Sequence, residues 1–222
     1  MRGMDLIADL FPAHNSLSDP TAASKLAVLR AALVGGDLSG LDARQEALAQ
    51  RIDQAAQKIG SGAEIARISE LTTLAQFGPA SIGAAVAQAY DDEPSAPIAE
   101  AMFVARFLVE VVFAGAHAPN LLPGDMLRQH QIDRAEISWP AAKPVYQGLL
   151  TRARETIDRA EAMDIMSASP ALRKILARYR VQTVRQIARL QDRDPASPGA
   201  RLTRFDNLMV SLRLLLRIRA TS

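Results

Sequence analysis

The chain has 222 residues, 49% of them hydrophobic but only 5% aromatic, and 26 Lys/Arg against 24 Asp/Glu leave a formal net charge of +2. No cysteine is present, which excludes disulfides, thiolate metal sites and a cysteine nucleophile. Ala and Leu dominate the apolar residues while strand-favouring β-branched and aromatic types are scarce, so the composition predicts an all-α chain long enough to bury a sizeable core.

The charge is unevenly spread. Residues 1–150 hold 11 Lys/Arg against 17 Asp/Glu, and residues 151–222 hold 15 against 7. A basic last third can meet phosphate, nucleic acid, anionic lipid or the acidic first part of its own chain, and the last is the simplest arrangement. Asp5 and Asp9 interrupt the apolar start, which does not read as a secretory signal. Glu100, Arg106 and Glu110 break up residues 96–119, the nearest approach to a membrane span. A cytoplasmic chain is expected, with a peripheral position at the inner membrane as the alternative.

A first short element, residues 4–11, stops at Pro12. Asp19-Pro20 then reads as an N-cap followed by Pro at the first helical position, opening a helix with Leu26, Val28, Leu29 and Leu33 inward. Gly35-Gly36 ends it. The GGDLSG loop lacks the G-x-G-x-x-G spacing and follows no strand, so it is not a phosphate loop. Residues 41–59 repeat Leu41, Leu48, Ile52 and Ile59 at helical spacing. Ser61-Gly62 punctuates the chain, and residues 63–77 carry the stripe Ile65, Ile68, Leu71 and Leu74. Gly78-Pro79 breaks that helix. The Ala-rich stretch 81–90 contains Gly83, which permits a close helix–helix approach.

Asp91, Asp92 and Glu93 form the one acidic cluster and are the only metal candidates. Adjacent residues of a helix point about 100° apart, whereas chelation needs i, i+3 or i+4 spacing, so a solvated turn at Pro94 is expected instead. Residues 96–115 are apolar nearly all round and should form the buried hub of a bundle. On that helix Arg106 and Glu110, four apart, pair either beside a cavity or at its edge. His14, His117 and His130 show no ligand spacing.

After Pro123 a short helix carries Met126, Leu127 and His130. Trp139-Pro140 leads into a long helix, residues 141–166, with Arg152, Arg154 and Arg159 on its polar face. Ser169-Pro170 opens another helix whose expected exposed basic face holds Arg173, Lys174, Arg178, Arg185 and Arg189. A loop, QDRDPASPG, precedes a last apolar helix over residues 202–218. Basic helices without interleaved aromatics argue against single-strand nucleic-acid binding, and no DNA-binding motif is present. G-x-S-x-G, H-E-x-x-H and P-loop motifs are also missing.

Residues 95–222 resemble the squalene/phytoene synthases in the order of three features. An apolar helix runs from Phe107 through a loop into the Leu-Pro corner at Pro123, followed by a short helix through Leu127 and His130 to Ile132. A long helix carries the step Ala153-Arg154. Tyr179, the segment Val184–Leu190, an Arg201-x-x-Arg204 turn and an apolar terminal helix close the chain. The resemblance implies a single helical domain over 1–222, a multi-helix bundle like the all-α prenyl synthase fold, shortened and diverged over 1–94.

Enzymes of that family hold Mg²⁺ and diphosphates with two Asp-rich motifs. Counted back from Pro123, the second would begin at Glu110 and end at Ala114, with Phe113 between, so only Glu110 keeps a carboxylate. One carboxylate cannot hold the several Mg²⁺ ions that neutralise a leaving diphosphate. The resemblance therefore implies a non-catalytic member, similar to the mitochondrial complex I assembly factors that lost these motifs. Such a member would be a binding or assembly scaffold for a protein partner or an apolar isoprenoid-like ligand. Its expected cavity residues are Arg106, Phe107, Glu110 and Phe113, with no catalytic residue and no cofactor. The alternatives are an active Mg²⁺-dependent prenyl transferase, or a module that meets an anionic membrane, or less readily nucleic acid, through the basic C-terminal helices.

Overall fold

The computed structural model describes residues 6–7, 9–12, 17, 19–163 and 165–202. Among them the regular structure is helical throughout and no strand occurs. His14 and the last expected helix, residues 202–218, lie outside the described residues except for Leu202.

Helix α1 spans Pro20–Gly35. The Asp19 carboxylate accepts the N–H groups of Thr21 and Ala22 at 2.8 and 3.2 Å, and Gly36 closes the far end at φ 72°. Both ends follow the expected punctuation. Leu26, Leu29 and Leu33 face inward, but Val28 is 47% exposed, since it sits 100° round the helix from Leu29. Helix α2, Ala43–Gly60, starts two residues later than its apolar repeat suggests. A reciprocal capping box between Asp42 and Gln45 sets that start and leaves Leu41 outside the helix.

Helix α3 begins at Ile68 and ends at Phe77, five residues short of the expected start. Residues 63–67 form a connector instead. Ile65 N–H donates to Asn120 O at 2.9 Å, and Gly124 N–H donates to Ile65 O at 2.9 Å. The Asp125 carboxylate then accepts Ile68 N–H at 3.0 Å, capping α3 from 57 residues away. Arg134 ties the same corner together, with one guanidinium nitrogen on Pro119 O and another on Ile65 O.

Helix α4 is Pro79–Ala89 and α5 is Ala96–Gly115, the hub expected from the apolar run. They pack so closely at Gly83 that a Cβ there would lie 2.6 Å from Ala99 C and Glu100 N. No other residue fits that contact. Helix α6, Gly124–Gln129, follows the Leu122-Pro123 corner. Helix α7, Lys143–Ala162, lies along α5 on another side. Helix α8, Pro170–Leu190, covers a third side, with the Ser169 hydroxyl accepting Leu172 N–H. Phe103, Phe107 and Met102 of α5 are buried to within 1%. One continuous apolar cluster runs from Leu6 to Ala200 and takes side chains from all of α1–α8, so both halves of the chain share a core.

Candidate functional site

Phe103, Arg106, Glu110 and Phe113 recur on α5 at steps of three and four, which aligns them on one helix face. Opposite them α8 presents Tyr179, Thr183 and Gln186 at the same spacing. Phe103 stacks on Tyr179 with ring centroids 4.7 Å apart, and the Tyr179 hydroxyl donates to Leu10 O at 2.9 Å. Burial pushes the Tyr179 hydroxyl pKa up, more than the charges of Arg106 and Arg178 pull it down. The phenol therefore stays a neutral donor.

Below this stack sits Glu110, only 3% exposed. Its Oε1 meets Arg106 Nη2 at 2.9 Å and its Oε2 meets Arg201 Nη1 at 3.0 Å. Arg201 also lies over the Phe113 ring, its guanidinium carbon 4.3 Å from the centroid, a cation–π contact on the same patch. Gln186 fixes the backbone that delivers Arg201: its amide nitrogen donates to Ala200 O and its oxygen accepts Leu202 N–H at 2.8 Å. Arg189 Nη1 donates to Arg201 O at 3.0 Å. The Thr183 hydroxyl in this seam is buried without a hydrogen-bond partner.

The seam is thus a buried carboxylate clamped by two guanidinium groups, one from its own helix and one from 91 residues away. Phe107 is wholly buried in the core and Phe113 lies under Arg201. The residues do not fit a Mg²⁺ centre, because both Glu110 oxygens are engaged by arginines and Ala114 brings no oxygen. Among the described residues no three His, Asp or Glu side chains converge. Asp5 and Asp9 are spaced as D-x-x-x-D; Asp9 is exposed and Asp5 lies outside the described residues.

The three residues of the acidic cluster go to separate partners. Asp91 pairs with Lys25 at 2.8 Å, and Glu93 pairs with Arg44. Asp92, expected in a solvated turn, is instead 9% exposed. Its Oδ2 accepts Ser169 N–H at 2.6 Å at the start of α8, and its Oδ1 accepts the Ser95 hydroxyl at 2.8 Å. Burial alone would raise its pKa, but these hydrogen bonds outweigh burial and hold the carboxyl below its usual range.

The expected basic face of α8 also differs. Lys174 is exposed, whereas Arg173, Arg178, Arg185 and Arg189 are half-buried. Two of these guanidiniums have backbone acceptors, Arg173 on Ala168 O and Arg189 on Arg201 O. Arginine's apolar stem packs while its planar head finds carbonyls, so a basic helical stripe need not face water. On α7, by contrast, Arg152, Arg154 and Arg159 are exposed, and Arg154 pairs with Asp158 at 3.0 Å. His117 and His130 are exposed.

Three surface grooves stand out, and none is lined by Arg106, Phe107, Glu110 or Phe113. One of about 480 Å³ lies between α1, α2 and α4, with the Lys25–Asp91 and Arg44–Glu93 pairs at its mouth. A second, about 450 Å³, runs between α3, α5 and α7 past Glu100 and Arg152. The third, about 300 Å³, follows α1 beside Phe11 and Pro12.

Fold and seam together define an all-α helical bundle. No helix among the described residues is long and apolar enough to cross a membrane. Comparison with protein-family models, curated proteins and solved structures finds no match.

Proposed function

We propose that the chain is a non-catalytic, squalene/phytoene synthase-like helical protein that serves as a binding or assembly scaffold. The supporting observation is the state of Glu110. Ionising an allylic diphosphate requires preorganised positive charge, usually Mg²⁺ held by several free carboxylates, at the leaving group. Glu110 faces Arg106 and Arg201 at 2.9 and 3.0 Å and works as a structural counter-ion. Around it the hub is filled by Phe103, Phe107 and Met102. What this chemistry leaves is a rigid bundle with charged grooves on its surface, which suits recognition better than turnover.

The competing proposal is an active Mg²⁺-dependent prenyl transferase. Incubation with farnesyl or geranylgeranyl diphosphate and Mg²⁺ separates the two. The scaffold proposal expects no diphosphate release and no condensation product, and Mg²⁺-dependent turnover would overturn it.

A further inference from the structure

The groove of about 450 Å³ between α3, α5 and α7 has the size of a small-molecule site. Ala101, Val104 and Leu108 of α5 form its floor at steps of three and four. Gln76 of α3 stands on one wall, and Arg152, Glu155 and Arg159 of α7 stand on the other. The Asp92 carboxylate accepts Ser169 N–H, which ties the chain after α7 to the chain before α5, so these two helices run antiparallel. Met163 therefore lies at the Pro97 end of the groove and Arg152 at the Leu108 end.

Each end of this groove carries one surplus charge, and the two are of opposite sign. Glu100, half-buried near the Pro97 end, has no hydrogen bond or ion pair among the described residues. Arg51 pulls on it only weakly against burial, and the Arg51 guanidinium lies over the Phe77 ring instead. At the other end Arg152 is exposed, and its guanidinium likewise has no partner among the described residues. The Arg159 head is held by its own helix, on Glu155 O and the Thr156 hydroxyl. Glu155 and Arg159 also offset each other at i, i+4, which leaves Arg152 as the surplus charge of its wall.

We propose that the groove binds a short apolar peptide with both termini free, its ammonium group on Glu100 and its carboxylate on Arg152. Length supports this. Glu100 and Leu108 lie eight residues apart on α5, about 12 Å along the axis, and an extended chain spans that in about three or four residues. The floor takes apolar side chains, while the Gln76 amide offers a donor and an acceptor to the peptide backbone. Charge separates this ligand from the alternatives. A fatty acid would satisfy Arg152 but lay its tail against the Glu100 carboxylate, and a dicarboxylate would be repelled there. The inference rests on this groove and is independent of the role given to Glu110.

Isothermal titration calorimetry of the full chain with the tripeptide Leu-Ala-Leu tests it. One site per chain is expected, with a Kd below about 1 mM. N-acetylation and C-amidation of the peptide should each weaken binding about tenfold. Glu100→Gln should weaken the free peptide to the same degree and leave the N-acetylated form unaffected. Arg152→Gln should do likewise, sparing the C-amidated form. Both substitutions replace groups without a partner in the fold, so neither should lower the melting temperature. A Kd above about 1 mM overturns the inference, and so does equal binding of all three peptide forms. A loss on amidation alone also overturns it, because the site would then hold the C-terminus of a longer chain. Binding of dodecanoate that is tighter than the peptide's and strengthens in Glu100→Gln would make an acyl chain the occupant and equally overturn it.

Discussion

Replacing Gly83 by Ala probes the tightest contact in the bundle. The new methyl would lie 2.6 Å from Ala99 C and Glu100 N and 2.7 Å from Ala99 O, all backbone atoms of α5. Carbon atoms in contact settle near 3.5–4.0 Å, so α4 and α5 must part by about 1 Å where they cross. Overpacking of this kind costs about 1–3 kcal/mol, and more where the obstacle is backbone that cannot change rotamer. Ala's higher helix propensity returns about 1 kcal/mol. The net expectation is a loss of about 2 kcal/mol, or 4–8 °C in melting temperature for a chain of this size. Gly148→Ala is the control. There the added methyl meets only the Met126 methyl, the far end of a flexible side chain, at 2.6 Å. It should be neutral or stabilising by up to about 1 kcal/mol. Thermal melts followed by circular dichroism read both, and equal melting temperatures for the two variants would refute the α4–α5 crossing described here.

Two carboxylates carry opposite pH signatures. Asp92 has its folded pKa held below the unfolded value of 3.8, so its contribution is present above that pH and lost as pH falls through the folded value. Asp92→Asn should cost about 1.5–3 kcal/mol at neutral pH, as expected for hydrogen bonds to a charged acceptor, and the gap from wild type should close below about pH 4. Equal urea midpoints at pH 7 would contradict this. Glu100 has its pKa raised by burial, against a smaller opposing pull from Arg51. Its ionised form therefore disfavours folding once pH rises above the unfolded value of 4.5. Glu100→Gln should accordingly raise the melting temperature at pH 7 and leave it unchanged at pH 4; a loss at pH 7 would show that the carboxylate has a partner.

Much of the fold is legible wherever the signal is local. Asp19-Pro20, Gly35-Gly36, Gly78-Pro79 and Ser169-Pro170 mark helix ends within a residue, because caps and breakers act on their immediate neighbours. The hub α5 is equally plain from its unbroken apolar run. The misplaced features depend on partners far along the chain. Helix α3 starts late because Asp125 caps it and Asn120 holds Ile65, neither of which the 63–77 periodicity contains. Asp92 is buried because Ser169 comes to it from 77 residues away. At the candidate site the same division holds. The Arg106–Glu110 pair follows from i, i+4 spacing, but the second clamp, Arg201, arrives through Gln186 and Arg189, and no local pattern announces it.

The most direct test of the central claim compares the melting temperature of the wild type and Glu110→Gln, with and without Mg²⁺ and inorganic diphosphate. Removing one partner of a buried ion pair costs about 3–5 kcal/mol. The Arg201 side chain is 57% exposed, so its share is screened and a loss of about 2 kcal/mol is expected. If Glu110 is a structural counter-ion, the variant melts several degrees lower in buffer alone, and Mg²⁺ with diphosphate shifts neither protein. A wild type stabilised by Mg²⁺ and diphosphate together, with that stabilisation lost in Glu110→Gln, would place Glu110 in a metal-dependent site and contradict the account.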